Sequence, residues 1–166
     1  MSNIYIFNRE KRDFLDPKSD KRPTSALEQM EIYWDELTAI ETAPWRSQIH
    51  PVKLKEVLPY IFLINYASEN KIFFRFIGAS AKLSLEKLSV HSRCKSRVYT
   101  DTQPSLKSCL TELFKDPVPR KKTYQSDALK TCQKSLFSIG LFPLLDRHAR
   151  TTKAIGVIER NRAYIN

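Results

Sequence analysis

The chain has 166 residues, of which 42% are apolar and 11% aromatic, a composition typical of one globular domain and unlike that of a disordered segment. Its three glycines, Gly78, Gly140 and Gly156, are too far apart to form a glycine-rich phosphate loop or a dinucleotide-binding fingerprint. The three cysteines include no C-x-x-C pair, so they predict neither a disulfide framework nor a zinc ribbon. We expect a reduced, cytoplasmic protein without a membrane span, because no apolar run reaches the ~18 residues that a membrane helix needs.

The formal net charge is +10, and nearly all of the excess positive charge falls after residue 83. Such a charge favours nucleic acid, anionic lipid or acidic protein partners. The densest basic run is Arg120, Lys121 and Lys122, which we take as a candidate interaction surface. Tyr124 is the one aromatic residue beside it, whereas nucleic-acid binders usually interleave several with their basic residues. Nucleic-acid or anion binding by the C-terminal half is therefore an alternative, and a solvated basic surface is favoured.

Residues 1–23 mix charges of both signs and predict an N-terminal extension, in which residues 4–7 form a short strand or a helix. A helix is predicted to begin at Ser25, since Ser25 and Glu28 match a capping box. Its apolar residues recur at helical spacing and define a buried stripe: Leu27, Met30, Trp34 and Leu37. The other face is acidic. We expect that face to be solvated, or to dock against the basic half of this chain or of a second copy.

A β-hairpin is predicted next. Residues 61–66 form an apolar run that favours a strand, a polar turn follows, and residues 72–78 form a second strand. Strict alternation along the second strand places Phe74 and Phe76 on the buried face, with Arg75 outside or at the rim of a pocket. Residues 79–88 then predict a helix, and the polar, basic stretch after them has no assignment.

The clearest helix of the chain begins near Pro104. Its apolar side chains form one continuous stripe: Leu106, Cys109, Leu110, Leu113 and Phe114. Cys109 lies inside this stripe, so we expect a buried apolar side chain and not a reactive thiol. Three strands follow, over residues 121–129, 135–145 and 153–160. The second is apolar at nearly every position, which is typical of a central strand.

This order of elements predicts an α+β fold, a five-stranded, mostly antiparallel sheet with helices on one face, plus the N-terminal helix. We expect a single domain over residues 24–162. Such a fold leaves a cavity between sheet and helices that suits a small apolar ligand. Four residues are predicted to line it, although packing in an ordinary core would also explain their positions: Phe74, Phe76, Ile139 and Leu141.

Six short stretches occur in the order in which a known family has them: Tyr33-Trp34, Pro44 to Pro51, Leu58-Pro59, Phe74 to Ala79, Phe142 to Asp146, and Ile155 to Val157. Together with the element order they resemble the PAS sensory domain, and more closely a bacterial subfamily of single-domain PAS proteins. The resemblance spans roughly residues 26–159. One departure is the loop over residues 85–93, which lacks the family's glycines and is expected to follow a different path.

Metal and catalytic sites are weakly indicated. His91 and Cys94 lie three residues apart, but no second pair completes a zinc site. In some PAS proteins a histidine binds haem, and here His91, His50 and His148 compete equally for that role. A serine triad with Asp146 and His148 would lack the elbow that exposes the nucleophile. We therefore predict no metal and no catalytic residue, and the sequence names no cofactor.

The resemblance implies a sensory or regulatory module without a catalytic effector. We expect that occupation of the cavity, or a shift of the N-terminal helix, changes its association with a partner, since a ligand with different affinity for two states shifts their populations. The expected partner is a signalling protein, or a second copy docked through the N-terminal helix. Trp34 is the candidate interaction residue on that helix.

Overall fold

The computed structural model describes residues 4–6, 25–38, 43–68, 71–88, 104–126 and 135–161. Within these ranges the helices and strands are, in chain order, β1 (Ile4–Ile6), α1 (Ala26–Leu37), β2 (Ile61–Ser68), β3 (Lys71–Ile77), α2 (Ala79–Leu88), α3 (Pro104–Lys115), β4 (Arg120–Ser126), β5 (Ser135–Leu145) and β6 (Thr151–Asn161). Short 3₁₀ turns at Arg46–Gln48, Pro51–Leu54 and Leu58–Tyr60 connect α1 to β2. No described helix is both long and apolar enough to cross a membrane.

The strands form one antiparallel sheet in the order β1-β4-β5-β6-β2-β3. Strands β2 to β6 are the five that the sequence predicts, so the expected α+β class is confirmed. Strand β1 adds a sixth at the edge, where Ile4 pairs with Lys122 and Ile6 with Arg120. Part of the expected N-terminal extension thus belongs to the sheet. Of the two predictions for residues 4–7, a strand or a helix, the strand is confirmed for Ile4–Ile6.

Helix α1 begins where the capping box predicts. Ser25 has an extended backbone, and its Oγ accepts a hydrogen bond from the backbone N–H of Glu28 at 3.1 Å. At the other end the backbone N–H and the hydroxyl of Thr38 both donate to the carbonyl of Trp34, each at 3.0 Å. One first-turn N–H and one last-turn carbonyl of the helix are therefore satisfied by the residues that flank it.

Helices cover both faces of the sheet. Helices α2 and α3 close the face that we call inner, and its buried side chains form the inner cluster, which includes Phe62, Phe74, Leu110, Ile139 and Leu141. Helix α1 packs on β5 and β6 from the opposite, outer face. The buried side chains there form the outer cluster, which includes Leu27, Trp34, Phe142, Leu144 and Ile155.

Strand β5 is central in the sheet, and every residue from 137 to 144 is buried. Its odd-numbered side chains from Phe137 to Leu141 join the inner cluster, whereas Phe142 and Leu144 join the outer cluster. This division explains why the sequence of the strand is apolar at nearly every position: it packs against a helical layer on each side.

A β-bulge in β3 makes one sequence prediction wrong. Leu63 pairs with Phe76 but the next residue, Ile64, pairs with Phe74, so Arg75 is an extra residue on β3. An extra residue resets the alternation of side chains. Phe76 therefore does not share the buried face of Phe74; its side chain is 43% exposed, whereas that of Phe74 is 6% exposed.

The turn between β5 and β6 is organised by one carboxylate. Oδ1 of Asp146 accepts hydrogen bonds from the backbone N–H groups of His148 at 2.8 Å and Arg150 at 3.1 Å, and Oδ2 accepts one from the hydroxyl of Thr152 at 3.0 Å. These bonds hold Ala149 at a φ of 57°, a left-handed conformation that is unfavourable for alanine. Desolvation raises the pKa of Asp146, but the hydrogen bonds from Arg150, His148 and Thr152 and the Arg150 charge outweigh it and lower the pKa to about 2.

We expect Asp146→Asn to lower the free energy of unfolding at neutral pH. Because the folded-state pKa is about 2 and the ordinary value is 3.8, the carboxylate stabilises the fold above 3.8, and this contribution is lost as the pH falls towards 2. Urea unfolding of wild type and variant should show a difference in stability that narrows over this range. Asp35→Asn, at an exposed position of α1, is the matched control. A difference that stays constant with pH would contradict this role for the turn.

Candidate functional site

The candidate ligand site is the inner face of the sheet. Three of the four predicted lining residues, Phe74, Ile139 and Leu141, are buried together in the inner cluster, whereas Phe76 lies outside it. The wall that they form is aromatic and aliphatic: the Phe74 ring is tilted against that of Phe62, with 5.6 Å between centroids. That these residues contact a ligand stays a prediction.

Two buried cations interrupt this apolar wall where α3 meets β4. Arg120 and Lys122 are only 8% and 7% exposed, and alternation along β4 turns both towards the inner face with Tyr124. The guanidinium of Arg120 lies 3.3 Å from a carboxylate oxygen of Asp116 and 3.6 Å from one of Glu112. Such pairing is what allows a charge to be buried. Lys122 Nζ lies 5.7 Å from the centroid of the Tyr124 ring, a cation–π contact.

Cys109 on α3 lies near Arg120 and Lys122 and is buried, as predicted. Burial raises the pKa of its thiol, the charges of Lys122 and Arg120 act in the opposite direction, and Glu112 adds to the rise. The net effect favours the neutral thiol. Arg120 and Lys122 therefore lie beside a buried, neutral thiol.

The basic run does not form one surface, which makes the prediction for Arg120, Lys121 and Lys122 wrong as a group. Strand geometry sends alternate side chains to opposite faces. Arg120 and Lys122 are buried inside, and Lys121 lies on the outer side, where its Nζ is 3.6 Å from a carboxylate oxygen of Glu31 on α1. Two signals in the sequence could have revealed that Arg120 and Lys122 are buried: the two-residue period of a strand, and the carboxylates of Glu112 on α3 and Asp116 just after it.

Trp34 is also not at a surface. Its side chain is 3% exposed and belongs to the outer cluster, where its ring lies 5.8 Å from that of Phe142. Its selection as an interaction residue is therefore wrong, because the stripe that carries it is the one that α1 buries against its own sheet. The exposed residues of α1 are those of the acidic face and one apolar side chain: Glu28, Ile32, Asp35 and Glu36.

Helix α1 is held on the sheet by close packing and by two polar contacts. A Cβ at Gly140 would overlap Cδ1 of Leu27, so the absence of a side chain there lets the helix approach β5. The backbone N–H of Leu27 donates to a carboxylate oxygen of Glu159 on β6 at 3.3 Å. With the ion pair of Glu31 and Lys121, these contacts dock part of the acidic helix against the basic half of the same chain.

Several predicted features lie outside the described residues. They are His91, Cys94 and Cys132, and residues 89–93 of the loop without glycines. Among the residues that the structure does describe, no group of three or more His, Cys, Asp and Glu side chains could hold a metal ion. Ser138 donates a hydrogen bond to Asn161 at 3.1 Å, and Asp146 is engaged in its turn.

A family model described as a PAS domain matches residues 22–159 of the chain. A solved structure titled "Structure of an RNA-binding Light-Oxygen-Voltage Receptor" is similar to it, with a TM-score of 0.47 and 11% sequence identity. That alignment covers 96% of this chain and 38% of the receptor chain, so this chain spans well under half of the receptor's length. No curated protein sequence matches the chain.

We expect Trp34→Ala to destabilise the protein by about 3–5 kcal/mol, because it empties a buried aromatic site between α1 and β5. Ile32→Ala, on the exposed side of the same helix, should cost less than about 1 kcal/mol. Urea unfolding measures both, and Trp34→Phe, which keeps a ring in the site, should recover part of the loss. Equal costs for the two alanine variants would contradict the assignment of Trp34 to the core.

Proposed function

The chain belongs to the PAS domain family, whose members are sensory or regulatory modules, and from this premise we propose that it is a cytoplasmic module that responds to a small ligand by changing its association with a partner protein or a second copy. We take residues 24–162 as the sensory domain and residues 1–23 as an extension, of which Ile4–Ile6 pair with β4 at the sheet edge. The proposal assigns no catalytic step to the chain. The observation that carries it is the packing of both faces of β5.

Neighbouring residues of β5 face the two layers of the fold. Ile139 and Leu141 point to the inner wall, while Gly140 lies under Leu27 and Phe142 under Trp34 on the outer side. Protein interiors are close-packed, so a displacement of the strand backbone moves both sets of contacts. A ligand that pushes on the inner wall would therefore change how α1 fits on the outer face.

The inner wall supports a small, mainly apolar ligand. Phe74 on β3 and Ile139 and Leu141 on β5 supply apolar surface from two strands, and small-molecule sites are usually lined by apolar side chains with a few polar groups that fix orientation. Arg120 and Lys122 are the polar groups at one end of this wall. A ligand with an acidic end would be oriented by them.

The outward side of α1 is the proposed association surface. Ile32 is 38% exposed and lies among Glu28, Asp35 and Glu36, so an apolar contact is surrounded by acidic groups. Opposite charges favour encounter and fix register at an interface. The chain carries a net charge of +10, which makes a second copy a suitable partner for an acidic strip.

The alternative of nucleic-acid binding through the basic run is less well supported. Arg120 and Lys122 are buried, and Lys121 is paired with Glu31, so these three residues do not offer phosphate contacts along one face. The geometry therefore supports the sensory proposal over this alternative.

Native mass spectrometry of freshly purified protein tests both halves of the proposal, since it reports a retained small molecule and the number of copies. We expect a bound molecule and a concentration-dependent dimer. Ile32→Asp should reduce the dimer fraction at least about tenfold, because it replaces the apolar contact of the interface with a charge that loses water on association. Val52→Asp is the matched control, since Val52 is 81% exposed and lies outside α1. A protein that is empty and monomeric at every concentration would contradict the proposal.

A further inference from the structure

A half-open groove of about 470 Å³ lies at the end of the β2–β3 hairpin, lined by residues 65–67 of β2, 73–75 of β3 and 152–153 of β6. We propose that this groove binds a small organic anion that carries a flat ring, of the class of nucleoside monophosphates or aromatic carboxylates. Its volume is within the range of about 300–1,000 Å³ that is usual for small-molecule sites. The groove shares Phe74 with the inner wall, but its charged and polar residues lie outside that wall, and the inference does not depend on the sensory proposal.

Strand register puts the principal side chains of the groove in one row. Asn65 on β2 pairs with Lys153 on β6 and with Phe73 on β3, and directly opposed residues of antiparallel strands share a face. Counting by twos from Asn65 and Lys153 leads to Leu63 and Ile155, which belong to the outer cluster. The row of three is thus on the outer face, beside the strands that α1 covers.

The bulge in β3 adds a second cation to the groove. Arg75 is the extra residue between Phe74 and Phe76, the partners of Ile64 and Leu63. Its side chain is exposed, and it lines the groove beside Phe73 and Phe74. Bulges are common beside functional sites because they redirect a side chain. The same feature that removes Phe76 from the inner face therefore places a guanidinium where a ligand could meet it.

The charge of the groove selects an anion. Arg75 and Lys153 are cationic, and the described lining residues include no carboxylate. Asp146 is nearby, but its carboxylate accepts hydrogen bonds from Thr152 at 3.0 Å and from the Arg150 side chain at 3.4 Å, so its charge is already compensated. A guanidinium and an ammonium on two sides of a groove suit a phosphate or a carboxylate.

The aromatic floor selects a flat ring. Phe73 is half-buried, so one part of its ring remains open to a stacking partner, and Phe76 is exposed on the same side of the strand. Bases and other flat rings stack on such side chains. One open ring with two cations matches a single nucleotide, whereas a nucleic-acid strand needs a longer basic track. A small anion is therefore favoured over a polymer.

The test is a titration of the full chain at low salt, followed by amide chemical shifts, with AMP, benzoate and inorganic phosphate as probes. We expect saturable shifts around Asn65 and Lys153 with AMP or benzoate and weaker binding of phosphate. Arg75→Gln and Lys153→Gln should each weaken binding roughly tenfold, the effect of losing one charge-assisted hydrogen bond. Phe73→Leu should weaken binding of the ring-bearing probes and leave that of phosphate unchanged. Lys82→Gln, on the exposed side of α2, should bind like wild type.

Four results would overturn the proposal. They are no saturable shift with AMP or benzoate at millimolar concentration, equal affinity for phosphate and AMP, binding that Arg75→Gln and Lys153→Gln leave unchanged, and binding of a ten-nucleotide single-stranded RNA where AMP does not bind. Lys153→Arg, which keeps the charge, should retain binding. Urea unfolding of each variant confirms that a loss of binding is not a loss of folding.

Discussion

The packing of both faces of β5 is the constraint on which the rest of the structure depends. A strand with apolar side chains on both faces must be buried on both. Here α2 and α3 pack on the inner face and α1 packs on the outer face. Gly140 allows α1 to approach β5 closely, because any side chain there would overlap Leu27. The helix that the proposed function requires to move is therefore seated directly on the strand that lines the candidate ligand site.

A second constraint acts on the charges. Basic residues within a sheet either reach solvent or must find partners, since burying an unpaired cation is costly. For β4 these partners are close in the fold: Glu112 on α3 and Asp116 just after it pair with Arg120, and Glu31 on α1 pairs with Lys121. A run that is conspicuous in the sequence thus ties β4 to a helix on each face of the sheet.

Periodicity in the sequence predicted the elements and their order, because amphipathic helices and apolar strands are local patterns. It also predicted that Ile139 and Leu141 share a face and that Cys109 is buried. It failed for Phe76, since the bulge at Arg75 depends on the pairing of β3 with β2, and the local sequence contains no glycine to suggest it. The groove that this bulge helps to form could not be predicted for the same reason: it needs the register of three strands.

Coupling of the inner wall and α1 through β5 can be measured with a double-mutant cycle. Ile139→Val removes a methyl group on the inner face of β5. Leu27→Ala shortens the α1 side chain that packs over Gly140 on the outer face of the same strand. Urea unfolding of both single variants and the double variant gives the coupling free energy. We expect a coupling free energy of at least about 0.5 kcal/mol, whereas strict additivity of the two changes would show that the two faces of β5 are independent.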